Sequence, residues 1–180
     1  PELQGRLPIR AELDALPRDG THPLIDRDDV HEVYAQWRKV FNSYDPPRTA
    51  VAEAWVSRER VPLYASAESL GQAFNFELLE TPWELAPTRQ AIAGTVTAAA
   101  AVGSTPTWTL SNHDVMRHAT RYGLPSGASR QAWPLSAPVA KLRRQLDTEL
   151  GLRRARAATL MILALPGSTY LYQGEELGLP

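Results

Sequence analysis

Hydrophobic and polar positions along the chain follow two periods, one typical of helices and one typical of strands. Apolar residues recur at helical spacing from Val30 to Phe41, so we expect a helix that begins near Asp26 and ends near Tyr44, before two prolines. Four short apolar runs, bounded by turn residues, predict strands at 51–56, 72–77, 107–110 and 169–173.

The segments between the predicted strands have helical patterns. We expect helices at 58–69, 87–102 and 138–165, with Gly151 as the break in the last one. Segments 1–25 and 122–138 are rich in glycine, proline and polar residues and are predicted to be loops. Because helices and strands alternate, the sequence predicts an α/β fold with a parallel sheet of four strands.

Polar side chains stand at or near the ends of two predicted strands. Glu53 lies in the apolar run at 49–56, while Asn112, His113 and Asp114 directly follow the run at 107–110. In α/β folds, ligands and chemistry gather at the carboxyl ends of parallel strands. A carboxylate held in an apolar strand keeps its proton more readily, as a general acid requires. Two such carboxylates at one edge suit acid-assisted hydrolysis.

Each candidate residue also has a structural interpretation. Glu53 could pair with a neighbouring arginine, and Asp114 could cap the helix that follows it. Arg117 could contact a substrate hydroxyl or a carboxylate, or it could be a surface residue on a first helical turn. His113 and His118 are five residues apart, which does not match the i, i+4 spacing of a helical metal pair, so we expect no metal site.

Composition narrows the function classes. The chain of 180 residues has 19 basic and 20 acidic side chains, a balance that argues against a nucleic-acid or anionic-membrane partner. The basic residues between 141 and 156 alternate with acidic ones, as on a solvated helix face. The longest apolar run, 157–165, is far shorter than the roughly 20 residues of a membrane span. The absence of cysteine fits a reducing compartment, and we expect a cytoplasmic protein.

Two further groups of residues are expected to be structural. Aromatic residues within the predicted strands are expected in the core rather than on a sugar-binding surface: Trp55, Phe74, Phe76 and Trp108. Glu175 and Glu176 are adjacent, and their side chains should point apart rather than form a carboxylate pair.

Together the motifs resemble those of the α-amylase superfamily, glycoside hydrolase family 13, and within it the α-glucosidase and oligo-1,6-glucosidase branch. Segment 51–56 is similar to the fifth-strand motif of that family, and segment 110–114 to its seventh-strand motif. Segment 165–178 is similar to the stretch that closes the eighth strand, and segment 26–34 to the helix before the fifth strand. The resemblance runs from about residue 22 to the end of the chain.

The resemblance implies roles for four residues. Glu53 would be the general acid/base, and Asp114 would stabilise the transition state. His113 would contact the sugar, and Arg117 would lie on the substrate side. The implied reaction is hydrolysis of α-glucosidic bonds in short oligosaccharides with retention at the anomeric carbon, without a metal or other cofactor.

One catalytic group of the family has no counterpart in the chain. The family's nucleophile is an aspartate in an Arg-x-Asp motif after the fourth strand, and Arg10-Ala-Glu12 matches only its spacing. A complete (β/α)8 barrel needs about 250 residues. We therefore expect residues 1–180 to be a fragment of one catalytic TIM-barrel domain, its carboxyl half with strands five to eight. This fragment would miss the N-terminal half of the barrel, have little activity alone, and associate or misfold.

Two other functions stay open. A transglycosylase or isomerase of the same superfamily, such as a trehalose or isomaltulose synthase, would use the same half-site. A non-catalytic sugar-binding or scaffold relative would keep the fold without the chemistry, although the presence of both Glu53 and the His113-Asp114 pair argues against it. The expected partner is a small oligosaccharide, with no nucleic acid and no membrane.

Overall fold

The computed structural model describes residues 19–125 and 144–179 of the chain. Within these ranges helices and strands alternate, in the order α1 Val30–Asn42, β1 Ala50–Ala52, α2 Val61–Ala65, β2 Gly71–Asn75, α3 Phe76–Glu80, α4 Leu85–Ala101, β3 Thr107–Thr109, α5 His118–Arg121, α6 Thr148–Ala164 and β4 Ser168–Tyr170. Parts of the predicted loops at 1–25 and 122–138, the start of the helix predicted from 138, and the Arg10-Ala-Glu12 motif lie outside the described residues.

The four strands form one parallel sheet in the order β1-β2-β3-β4. Ala50 pairs with Gly71, Phe74 with Thr107, and Thr107 in turn with Ser168. Each pair of neighbouring strands is joined by a segment that contains a helix, as parallel pairing requires. The predicted α/β fold with a parallel sheet is confirmed, and it is consistent with a TIM-barrel-type domain.

The main core lies where the sheet meets α3, α4 and α6. Trp108 of β3 and Ile162 of α6 are both completely buried at its centre, and the Trp108 indole N–H donates a hydrogen bond to the carbonyl of Pro166 at 2.8 Å. A second cluster joins β1, β2 and α2, and Tyr34 and Phe41 of α1 pack against it. The predicted core position of Trp108 is therefore correct.

Several predicted boundaries are wrong: the helix predicted at 58–69 covers only Val61–Ala65, and the strand predicted at 169–173 is Ser168–Tyr170. The strand predicted at 72–77 ends at Asn75, because Asn75 Oδ1 accepts the Leu78 N–H at 2.7 Å and caps α3, which contains Phe76 and Glu77. Gly151 does not break a helix but lies inside α6, where it allows close packing against α5. Among the described residues, no helix is both long enough and apolar enough to cross a bilayer. The expected cytoplasmic location stays a prediction.

Candidate active site

The loops that follow β1 and β3 bring three of the predicted site residues together. Glu53 directly follows β1, and His113 and Asp114 lie between β3 and α5. One ligand-type atom from each of the three, a carboxylate oxygen or an imidazole nitrogen, lies within 4.8 Å of the others. All three residues are exposed, so a molecule in solvent can reach them. The two carboxylates therefore share one edge of the sheet, the edge at the carboxyl ends of its strands.

Asn112 connects the two loops. Its side-chain oxygen accepts the backbone N–H of Asp114 at 2.9 Å, which closes a tight turn, and its amide nitrogen donates to Glu53 Oε1 at 3.5 Å. Within the turn, His113 Nε2 lies 3.5 Å from Asp114 Oδ1. The turn thus directs Asp114 and His113 toward the end of β1.

The expectation that Glu53 lies inside a buried strand is wrong. Strand β1 has only three residues and ends at Ala52, so Glu53 is the first residue of the following loop. Ala52 is buried, whereas Glu53 is exposed. Solvent therefore reaches the Glu53 carboxyl, and a bound substrate would have to exclude the water.

Arg117 lies at the start of α5, beside the loop after β4. Its Nη1 donates to the carbonyl of Gln173 at 2.6 Å, and its guanidinium carbon lies 4.7 Å from the ring centroid of Tyr172. Helix α5 begins at His118, so Arg117 holds the capping position and Asp114 does not cap this helix. Arg117 therefore joins the loop after β3 to the loop after β4.

Behind these exposed residues lies a buried polar network that the sequence reasoning missed. The side chains of His118 and Glu175 are only 3% and 1% exposed, and His118 Nδ1 lies 2.9 Å from Glu175 Oε1. The Ser111 hydroxyl oxygen accepts the backbone N–H of His118 at 3.0 Å. Burial is the largest influence on the pKa of Glu175 and acts to raise it, but the interactions with His118, with Ser111 and with the backbone N–H of Tyr172 together hold that pKa below its ordinary value.

The expectation that Glu175 and Glu176 point apart is correct, because Glu175 is buried and Glu176 is exposed. The signal for the buried network was present in the sequence as a glutamate directly after Gly174. Gly174 has a positive φ of 88°, so the chain turns there and carries Glu175 back into the protein. Its partner His118 lies 57 residues earlier in the chain, so no local pattern connects the two.

A cavity of about 580 Å³ opens beside the loops that follow β1 and β2. In its wall Trp55 stacks on Phe76 with ring centroids 4.0 Å apart, and Arg58 Nε donates to Glu77 Oε2 at 2.8 Å as part of a two-bond ion pair. Phe76 is buried as predicted, but Trp55 is only partly buried. The volume is in the range of small-molecule sites, so the cavity can hold a sugar-sized ligand.

The cluster of Glu53, His113 and Asp114 also contains the donor types that bind a divalent cation. All three residues are exposed, and exposed acidic groups commonly occur without an ion. His118 is turned away into the buried network, as its contact with Glu175 shows. The expectation of a site without metal stays a prediction.

The chain is similar to a known protein family and to a solved structure. A family model described as the alpha amylase catalytic domain matches residues 6–180. Among solved structures, the chain is similar to an alpha-glucosyl transfer enzyme, XgtA, with a TM-score of 0.61 and 26% sequence identity. That similarity covers 86% of this chain but only 24% of the other, so the chain spans about a quarter of the length of XgtA. No curated protein matches the chain.

Proposed function

Because the chain belongs to the alpha-amylase family, we propose that it carries part of the catalytic site of a retaining α-glucosidase that acts on short oligosaccharides. The observation that carries this proposal is the convergence of Glu53, His113 and Asp114 within 4.8 Å at the carboxyl edge of the sheet. A carboxylic acid beside a second carboxylate and an imidazole can protonate a glycosidic oxygen while the adjacent charge stabilises a positive sugar ring.

The proposed reaction has two steps. In the first, a nucleophilic carboxylate from the N-terminal half of the barrel attacks the anomeric carbon. The bond to the leaving oxygen breaks as Glu53 donates its proton to that oxygen. In the second, Glu53 removes a proton from water, which attacks the anomeric carbon and releases the nucleophile. Asp114 and His113 hold ring hydroxyls through bonds that strengthen as positive charge grows on the ring.

We also propose that the chain is the carboxyl half of the barrel, completed by an N-terminal half that carries the nucleophile. Strands β1 and β4 are the two edges of the described sheet. On α1, which leads into β1, Val33, Trp37 and Val40 form one exposed stripe, at 42%, 50% and 55% exposure. On α6, which leads into β4, Leu160 and Leu163 are 70% and 56% exposed. Apolar surface at both edges is what a missing half would cover.

Glucosyl transfer to another sugar is the second candidate function. The similar solved structure is an alpha-glucosyl transfer enzyme. The cavity beside Trp55 and Phe76 has room for an acceptor sugar, with the ion pair of Arg58 and Glu77 in its wall. Chromatography of the products that the complete protein forms from maltose separates the two: glucose alone indicates hydrolysis, whereas a new disaccharide indicates transfer.

The role of Glu53 is tested by Glu53→Gln in the complete protein, with Glu68→Gln as the matched control. Glu68 is exposed and precedes β2, so it lies at the amino ends of the strands, whereas Glu53 lies at their carboxyl ends. Loss of general acid catalysis should lower kcat/KM on maltose by about 10²- to 10⁴-fold. An activated aryl α-glucoside, whose leaving group needs less protonation, should lose less in the first step. An unchanged rate for Glu53→Gln would refute the role, and a wild-type protein with no turnover would indicate a non-catalytic relative.

A further inference from the structure

We propose that the buried pair His118–Glu175 positions the catalytic loop, residues 111–117, so that Asp114 faces Glu53. The inference rests on the proposed function, because it assigns the pair a part in the same reaction. Neither residue is exposed to substrate, so both are positioning residues that would act through the loop they hold.

The catalytic loop is closed on itself at its two ends. Ser111, at its start, is 2% exposed, and His118, directly after its end, is also 2% exposed. The Ser111 hydroxyl accepts the His118 N–H at 3.0 Å and lies 3.1 Å from His118 Nδ1. One buried serine therefore fixes the distance across the loop that carries His113 and Asp114.

Glu175 attaches this closed loop to the neighbouring strand. One of its carboxylate oxygens lies 2.9 Å from His118 Nδ1, and the other accepts the backbone N–H of Tyr172 at 2.9 Å. Tyr172 lies just after β4, which pairs directly with β3. Arg117 makes a parallel connection to Gln173. The consecutive residues Arg117 and His118 thus both join the loop after β3 to the loop after β4.

The charge of Glu175 is what makes the attachment specific. A buried carboxylate must keep its partners, because an unpaired charge in the interior is costly. The pKa of Glu175 lies below its ordinary value, so the ionised form is the one that binds His118. A neutral amide at this position keeps the size of the side chain but weakens the pull on His118. The loop can then drift, and a displacement of about 1 Å at a catalytic group can cost about 100-fold in rate.

The test is Glu175→Gln in the complete protein, with Glu176→Gln as the matched control. Glu176 is exposed, and its contact, to the N–H of Gly174 at 2.8 Å, can be kept by a glutamine oxygen. At a temperature well below unfolding, Glu175→Gln should lower kcat on an aryl α-glucoside by about 10- to 100-fold while KM changes by less than about threefold. Glu176→Gln should leave both within about twofold.

Other results would overturn the proposal. A lowered unfolding temperature for Glu175→Gln with an unchanged kcat would make the pair structural only. If Glu175→Gln does not fold, Ser111→Ala removes one hydroxyl from the same network and should show the same fall in kcat with little change in KM. An unchanged kcat in Ser111→Ala would again overturn the proposal.

If the wild-type protein turns over no glucoside, the proposed function fails by itself. NMR then tests positioning alone: amide shifts of residues 112–114 should move in Glu175→Gln and not in Glu176→Gln, and unmoved shifts overturn it.

Discussion

The close packing of α5 against α6 predicts that Gly151→Ala destabilises the protein. A Cβ at Gly151 would lie 2.2 Å from the carbonyl oxygen of Ala119 and 3.1 Å from the Cα of Gly123. These neighbours are backbone atoms, which cannot rotate aside as a side-chain end can. Because α5 begins with His118, the substitution would also strain the region that we propose holds the catalytic loop.

The size of the effect follows from these distances. Carbon–oxygen contacts normally begin at about 3.3 Å, so α5 and α6 would have to separate by about 1 Å at Gly151. Overpacking of a well-packed interior costs about 1–3 kcal/mol, and contact with rigid backbone favours the upper end. Alanine in a helix interior recovers about 1 kcal/mol relative to glycine. We therefore expect Gly151→Ala to lower the free energy of unfolding by about 2 kcal/mol.

Gly94→Ala is the matched control, because Gly94 also lies inside a helix, α4. A Cβ there would lie 2.4 Å from the guanidinium of Arg58, the far end of a flexible side chain that can move. The helix-propensity gain should then roughly balance the cost of moving Arg58. Urea unfolding of the complete protein, followed by tryptophan fluorescence, measures both variants. The packing argument is refuted if Gly151→Ala unfolds at the same urea concentration as Gly94→Ala, or at a higher one.

Three further results are expected. Burial holds the pKa of His31 below its ordinary value of 6.5, so its contribution to the free energy of unfolding is complete above about pH 6.5 and is lost as pH falls through the lowered pKa. The urea midpoint of His31→Gln should therefore depend less on pH in that range than the wild-type midpoint does. An equal pH dependence of the two midpoints would contradict this. Tyr64→Phe removes the 2.6 Å bond to the buried carboxylate of Asp26 and should cost about 1–3 kcal/mol in the same assay, whereas a neutral result would contradict it. Arg117→Lys loses the stacking on Tyr172 and should lower kcat/KM about fivefold or more, while an unchanged value would remove Arg117 from the substrate side.

The order of elements could be predicted because their periodicity is local. The spacing of apolar residues between Val30 and Phe41 gave α1 within a few residues of its bounds, and the alternation of helices and strands gave the parallel sheet. The convergence of Glu53 with Asp114 could be anticipated for the same reason. Residues after parallel strands meet at one edge, whatever lies between them in sequence.

The rest depends on contacts between distant segments. The strand at β1 is shorter than its apolar run because β2 pairs with only three of its residues, and this leaves Glu53 exposed. Gly151 reads as a helix break in sequence, but its neighbour Ala119 on α5 explains why glycine is needed inside the helix. The pairing of His118 with Glu175 joins two loops that no local pattern connects.

The most direct measurement is a crystal structure of the complete protein carrying Glu53→Gln, with an uncleaved α-glucoside bound. The account predicts that the glycosidic oxygen lies within about 3.2 Å of the side chain at position 53. It also predicts that hydroxyls of the same glucosyl unit lie within about 3.2 Å of Asp114 and His113. A glucosyl unit bound elsewhere, or one that contacts position 53 without contacting Asp114, would contradict the claim that these residues act on one sugar.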